Sequence, residues 1–179
     1  RFKNCVFVTV AVLLFLFWGF GGVAQEIYTY RKADPEGTGK WYFGRELAPV
    51  MSHYGIGWLE RSEREQEERS SLLLKNMHLK AGEVVADIGA GSGYHVVKMA
   101  PKVGPAGKII AVDIQQEMLD YIEKRTRVLK TQNVEVVLGT EKSVMLKPSS
   151  IDKMLLVDVY HEFEFPAEMG HSMWEALRP

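Results

Sequence analysis

Hydrophobic and polar positions divide the chain into unlike stretches. Asn4 to Gln25 carries no charge, and Val6 to Phe20 is almost wholly apolar. Ile27 to Gly44 scatters Tyr, Lys, Asp, Pro and Gly without a period, with a Pro-Glu-Gly-Thr-Gly turn at 35–39. Arg45 to Leu59 mixes Met51, His53, Tyr54 and Trp58 with Gly55 and Gly57, and from Glu60 to Arg69 eight of ten residues are charged. Ser62 with Glu65 forms a capping-box signature, which predicts a helix running to about Met77 with the charge run as its solvated face. From Gly82 onward short apolar runs alternate with helical segments. Val84–Ala86, Lys108–Val112, Val134–Leu138 and Met154–Val157 are runs that suit strands buried on both faces. Helices are predicted near Tyr94–Ala100 and Gln115–Lys130, the second with Met118, Leu119, Ile122 and Leu129 as an apolar stripe facing the sheet. Such alternation predicts an α/β fold: a doubly wound, Rossmann-like parallel sheet with helices on both faces.

Three segments follow. Residues 1–24 have a basic start (Arg1, Lys3), an apolar run and a small-residue exit at Gly21–Ala24, which is the make-up of a signal peptide cleaved after Ala24. An uncleaved anchor, with membrane association through residues 6–20, is the alternative. Either one exports the domain to the periplasm or beyond. Residues 25–59 read as an irregular linker or lid, and residues 60–179 as the folded domain. Position 1 is Arg rather than Met, and only four strands precede Pro179. The expectation is a fragment whose last strand leaves an open apolar edge, so that alone it folds poorly and is not catalytically competent.

The chemistry concentrates after the first long strand, in Asp87-Ile-Gly-Ala-Gly-Ser-Gly93. Gly89, Gly91 and Gly93 allow close backbone approach to a ligand, and the N-terminus of the following helix suits a carboxylate. Asp87 can hold an ammonium group. Asp113 ends the next strand, 20 residues after Gly93, the spacing at which an acid meets ribose hydroxyls; Ile114 beside it can pack on a base. An amino acid, a ribose and a base together describe S-adenosyl-L-methionine. A nicotinamide dinucleotide is the competitor, but the glycines are spaced G-x-G-x-G rather than G-x-G-x-x-G, and Asp87 repels a pyrophosphate.

With these residues in place, VVADIGAGSGY, IIAVDI, NVEVVLGTE, SIDKMLLVDVYHEF and MWEALRP resemble successive motifs of class I S-adenosylmethionine-dependent methyltransferases, over roughly Leu72 to Pro179. The resemblance is nearest to small-molecule methyltransferases, including those that methylate ubiquinone and menaquinone precursors. The stretch Arg45–His53 with Gly57–Arg61 is similar to a bacterial branch with exported members. The resemblance implies a seven-stranded sheet, with Asp87, Gly89, Gly91 and Gly93 around the methionyl part and Asp113 on the ribose. Thr140 and Glu141 would approach the adenine, although many relatives have Asp where Thr140 stands. The acceptor would lie beyond the fourth strand, at Asp158-Val-Tyr-His-Glu162.

There His161 is a candidate general base, with Asp158 or Glu162 setting its tautomer, and Asp158 also a candidate wall of the cofactor site. A purely pocket-shaping role for Asp158 and His161 is the alternative. Metal binding is not expected, because His161-Glu-Phe-Glu164 lacks the second His of HExxH. An Asn/Asp-Pro-Pro-aromatic motif of amine methylators is missing, and the single cysteine, Cys5, lies in the leader, which removes thiol-based methylation. O- or C-methylation of a small acceptor remains, lipophilic ones included. His53, Tyr54 and Trp58 are expected to pack on the sheet, with a lid over the acceptor as the alternative; His78, His95 and His171 are expected at the surface or at helix ends.

Composition changes little. The net charge is −1, from 22 basic and 23 acidic residues, so no nucleic acid is expected as partner, and no protein partner is evident. Export sets a second class of function beside the enzyme. S-adenosylmethionine is made inside cells, so an exported domain can instead be a non-catalytic module that binds it or its demethylated product. An NAD(P)-binding oxidoreductase stands third.

Overall fold

The computed structural model describes residues 26–179. The proposed signal or anchor at 1–24 lies outside them; among the described residues no helix is long and apolar enough to cross a membrane. Residues 60–179 form the expected sheet. Strands β4 (Val84–Ile88), β5 (Lys108–Asp113), β6 (Val134–Leu138) and β7 (Lys153–Leu156) are all parallel, in the order β6-β5-β4-β7. Helices α4 (Val96–Val103) and α5 (Gln116–Val128) form the β4–β5 and β5–β6 crossovers, and α6 (Pro166–Ala176) follows β7.

The pleat sorts side chains into two cores. Val85, Ile109, Ala111 and Leu155 pack with Met99 and Val103 of α4 and Leu119 and Ile122 of α5. Ala86, Ile88, Ile110 and Val112 pack with Ile151, Phe163, Met169 and Ala176 on the opposite face. Fully buried aliphatics such as Ile109 and Ile122 each contribute about 1.5–3 kcal/mol of transfer energy. Only β4 and β5 are buried on both faces. The edge strand β6 is only partly covered, with Glu135 and Leu138 exposed, and the α5 stripe ends at Thr126, so that Leu129 points outward.

Two expectations upstream need correction. The stretch 26–59 is not wholly irregular: β1 (Tyr28–Tyr30), β2 (Lys40–Tyr42) and β3 (Arg45–Glu46) form an antiparallel sheet. Strands of two or three residues are too short to show a period. Side chains hold them instead: Glu46 accepts from the Gly39 N–H (2.7 Å), the Tyr28 hydroxyl donates to Glu168 on α6, and the Lys40 ammonium sits 3.4 Å from the Phe165 ring centroid.

The expected single helix from Ser62 to Met77 is two, α2 (Arg64–Glu68) and α3 (Ser70–Asn76), preceded by the short α1 (Ile56–Leu59). Arg69 breaks the path at φ +50°, and Glu65 accepts from the Ser71 N–H (3.0 Å) instead of closing a capping box at Ser62. The charge run is a solvated face only in part, at Glu63, Glu67 and Arg69, with the expected i,i+4 pairing in Arg64–Glu68 (2.7 Å). Glu60 accepts from Ser92 Oγ (2.5 Å) and from Arg125, and Arg64 is 5% exposed. These charges pair across the bend and into the domain, so a tertiary contact overrides the periodic reading.

Candidate functional site

The strand order reverses at β4: β5 and β6 are laid down on one side of it and β7 on the other. A crevice opens at the carboxyl ends of strands at such a point. Here it is a cavity of about 350 Å³, within the range of small-ligand sites. It is walled by Asp87, Gly89, Gly91, Asp113, Ile114, Thr140, Glu141, Asp158 and His161, so the fold brings together every sequence-predicted site residue except one. Gly93 is the exception. It lies outside the wall, where a Cβ would stand 2.9 Å from Ile122 of α5.

Asp87 is the next-to-last residue of β4 and is 3% exposed. Among the described residues its Oδ2 has no hydrogen-bond partner. Burial, with the nearby Asp113 charge, pushes its carboxyl up to about 7, while Arg64 pulls it down. An unpaired buried carboxylate costs several kcal/mol unless a cation or donor meets it. Asp113 is held differently. Its Oδ2 accepts from the Gly91 N–H (2.9 Å) and its Oδ1 from the Gln115 N–H (3.0 Å). Burial raises its carboxyl and these bonds lower it, and each oxygen keeps a second lone pair for a ligand hydroxyl.

The loop between them explains the glycines. Gly89 and Gly91 have φ of +67° and +53°, and a Cβ on Gly89 would collide with Val159, which also lines the cavity. A Cβ on Gly91 would meet Leu59 of α1 at 2.9 Å. Side chains at these positions would be strained and would displace Val159 and Leu59, both of which line the cavity.

Residues 50–59 cross the opening. The Met51 N–H donates to Glu162 Oε2 (3.1 Å), Gln115 Nε2 donates to the Met51 carbonyl (2.8 Å), and Gln115 Oε1 accepts from the His53 N–H (2.9 Å). The segment is thus fastened to both lips of the crevice. Tyr54 and Trp58 are 87% and 51% exposed, and Trp58 lines the cavity, so the expected packing on the sheet is not found.

The β7 side of the crevice is more open. Asp158 is exposed at φ +49°, and His161 has a side chain 38% exposed. Glu162 lies 3.8 Å from His161 Nε2, whereas Asp158 makes no hydrogen bond to it. Burial raises the Glu162 carboxyl and the Met51 N–H lowers it. Thr140 and Glu141 are both exposed at the rim, with Thr140 Oγ1 accepting from the Ser143 N–H (3.0 Å) in a local turn.

Several lining residues escaped the sequence reading. Arg64 was hidden inside a charge run. His95 is a helix-end residue, as expected, but it is buried beside the cavity, where desolvation first and the Arg64 charge next drop its imidazole to about 4. Gln115 acts through a backbone contact 64 residues away, which no local pattern marks, and Glu162, expected only as a partner of His161, also accepts from the Met51 N–H 111 residues away.

The fold and the site can now be set beside known proteins. Residues 79–179 match a family profile described as a methyltransferase domain. A solved structure, an S-adenosylmethionine-dependent methyltransferase from Aquifex aeolicus, superposes with a TM-score of 0.69 at 27% identity, over 73% of this chain and 69% of that one. A protein-L-isoaspartate O-methyltransferase from Ignicoccus hospitalis is 29% identical over 84 residues, 47% of this chain and 40% of its own. A demethylmenaquinone methyltransferase from Oceanobacillus iheyensis is 28% identical over 79 residues, 44% of this chain and 33% of its own. The chain thus spans less than half the length of those two curated relatives. Profile and fold agree with the crevice, and the chain belongs to the methyltransferase-domain family, built on the class I fold that uses S-adenosylmethionine.

Proposed function

We propose that this protein transfers the methyl group of S-adenosylmethionine to an oxygen or carbon atom of a small acceptor with an apolar body. The observation that carries the reading is Asp87, a buried carboxylate with an unpaired oxygen beside a glycine loop. The same cavity is walled by Asp113 on the neighbouring strand. A methionyl ammonium satisfies Asp87 and a ribose diol suits Asp113, whereas a dinucleotide pyrophosphate would meet the Asp87 charge. The cofactor, when bound, supplies an electrophilic methyl on sulfonium.

The chain's own residues do the rest. Asp87 and Asp113 orient the donor, Ile114 packs on the base, and Thr140 and Glu141 border it. Met51 and Trp58 exclude water from the crevice, and positioning of this kind is the main demand of an in-line displacement. His161, beside Glu162, takes the proton of an acceptor that must lose one. Val50, Met51 and Trp58 make the rim apolar, which favours an acceptor with a hydrophobic body. The O-methyltransferase activity named for the Ignicoccus relative is consistent with oxygen as the acceptor atom.

Calorimetric titration with S-adenosylhomocysteine and with NAD, paired with transfer of labelled methyl into cell-extract fractions, tests the proposal. Binding of S-adenosylhomocysteine and labelling of a small molecule are expected. Binding without any transfer assigns a non-catalytic module instead. NAD as the ligand overturns the cofactor reading. The export expectation stays with the proposal and is checked by the N-terminal sequence of the mature protein.

A further inference from the structure

We infer that Arg64 receives the α-carboxylate of the methionyl moiety, so that Arg64 and Asp87 together read the two charges of an amino acid. This rests on the S-adenosylmethionine reading above. Arg64 opens α2, yet it is 5% exposed and lines the same cavity as Asp87. Three contacts set its guanidinium. Nε donates to Glu68 Oε2 (2.7 Å), Nη1 donates to the Leu59 carbonyl (2.8 Å), and Cζ stands 4.3 Å from the Tyr94 ring centroid. Among the described residues no acceptor is paired with Nη2. Glu68 does not neutralise it alone, because Glu68 Oε1 also accepts from Arg61 (2.9 Å). A guanidinium that lines a cavity, shares its counter-ion and keeps a donor free is ready to receive an anion there.

The opposite demand stands in the same cavity, where Asp87 Oδ2 lacks a donor. The two groups feel each other: Arg64 holds the Asp87 carboxyl down against its desolvation. An unpaired carboxylate and an incompletely paired guanidinium complement an ammonium and a carboxylate on one carbon. The glycine loop is poorly placed to take the carboxylate by itself, because the Gly91 N–H is committed to Asp113. Arginine suits the task better than lysine, since its planar fork donates to the ligand while Nε and Nη1 remain anchored.

The test is titration of the full chain with S-adenosylhomocysteine and with its decarboxylated analogue, S-adenosyl-3-thiopropylamine. The unaltered protein is expected to prefer S-adenosylhomocysteine by roughly 10- to 100-fold, the range of charge-assisted bonds. Arg64→Gln is expected to erase that preference to within about threefold by weakening S-adenosylhomocysteine alone. Arg64→Lys, which keeps the charge and loses the fork, is expected to show an intermediate preference. No preference in the unaltered protein, or equal weakening of both ligands by Arg64→Gln, overturns the assignment. Should Arg64→Gln fail to melt cooperatively, a lysine variant with the full original preference does the same. An unaltered protein that binds neither compound instead sinks the cofactor reading itself, and this inference with it.

Discussion

The two sides of the crevice are built to different standards. On the proposed donor side, Asp87 and Asp113 are buried at the ends of the two most enclosed strands, and Asp113 is fixed by two backbone N–H groups. On the proposed acceptor side, Asp158 and His161 follow β7 and are exposed or half-exposed. Rigid central strands place charges to a fraction of an ångström, whereas a loop after an outer strand can vary without disturbing the core. The donor side is therefore suited to one invariant ligand, and the acceptor side to whatever molecule this chain serves.

That contrast can be broken by substitution. The largest effect is expected at His161. His161→Ala should lower methyl transfer by about 10²–10⁴ for an acceptor that loses a proton. In calorimetry it should leave S-adenosylhomocysteine affinity within about twofold, since the donor side does not use it. An unchanged transfer rate would reduce His161 to a shaping role. Asp87→Asn should weaken S-adenosylhomocysteine by roughly 100-fold, by removing a buried charge from its ammonium. Asp113→Ala should cost about 1.5–3 kcal/mol of binding, the worth of hydrogen bonds to a charged group. Should either donor-side change leave affinity intact while His161→Ala destroys it, the assignment of the two sides is reversed.

A smaller effect concerns pH. The Asp87 carboxyl rises from 3.8 to about 7 on folding, so between these values the folded state holds a proton that the unfolded state has released. Its contribution to stability is present below pH 4 and falls as pH rises through 7. The buried His95 has the opposite slope: depressed from 6.5 to about 4, it is disfavoured as a cation, and stability is lost as pH falls between those values. In thermal melts, the parent minus Asp87→Asn difference in Tm should therefore decline from pH 4 to pH 7 and then level off. A flat difference would mean that Asp87 is not desolvated. The smallest effect is expected at Gln115. Gln115→Ala removes two fasteners of the 50–59 segment, each worth about 0.5–1.5 kcal/mol, and should speed ligand dissociation in stopped flow several-fold.

Much of the site was legible before folding. Asp87, Gly89, Gly91 and Asp113 lie on or beside two adjacent parallel strands, and the run of apolar residues before each acid already implied a buried strand ending in a polar group. Helices α4 and α5 followed from the same periodicity. What stayed hidden depended on contacts far apart in the chain. The charge run at Glu60–Arg69 has the composition of a solvated helix, yet Glu60 reaches Ser92 and Arg125, and Arg64 turns inward against Tyr94. The small N-terminal sheet was invisible because its strands are too short for a period and are held by Tyr28–Glu168 and Lys40–Phe165 contacts.

Local sequence thus determined the parallel sheet, its order of strand and helix, and the pair of acids that wall the crevice, because burial patterns and turn residues act over a few positions. Only the tertiary structure decided which charges are buried, how the 50–59 segment is fastened to Gln115 and Glu162, and that Asp87 faces a cavity shared with Arg64. Desolvation and pairing belong to the assembled fold, and no stretch of chain carries them alone.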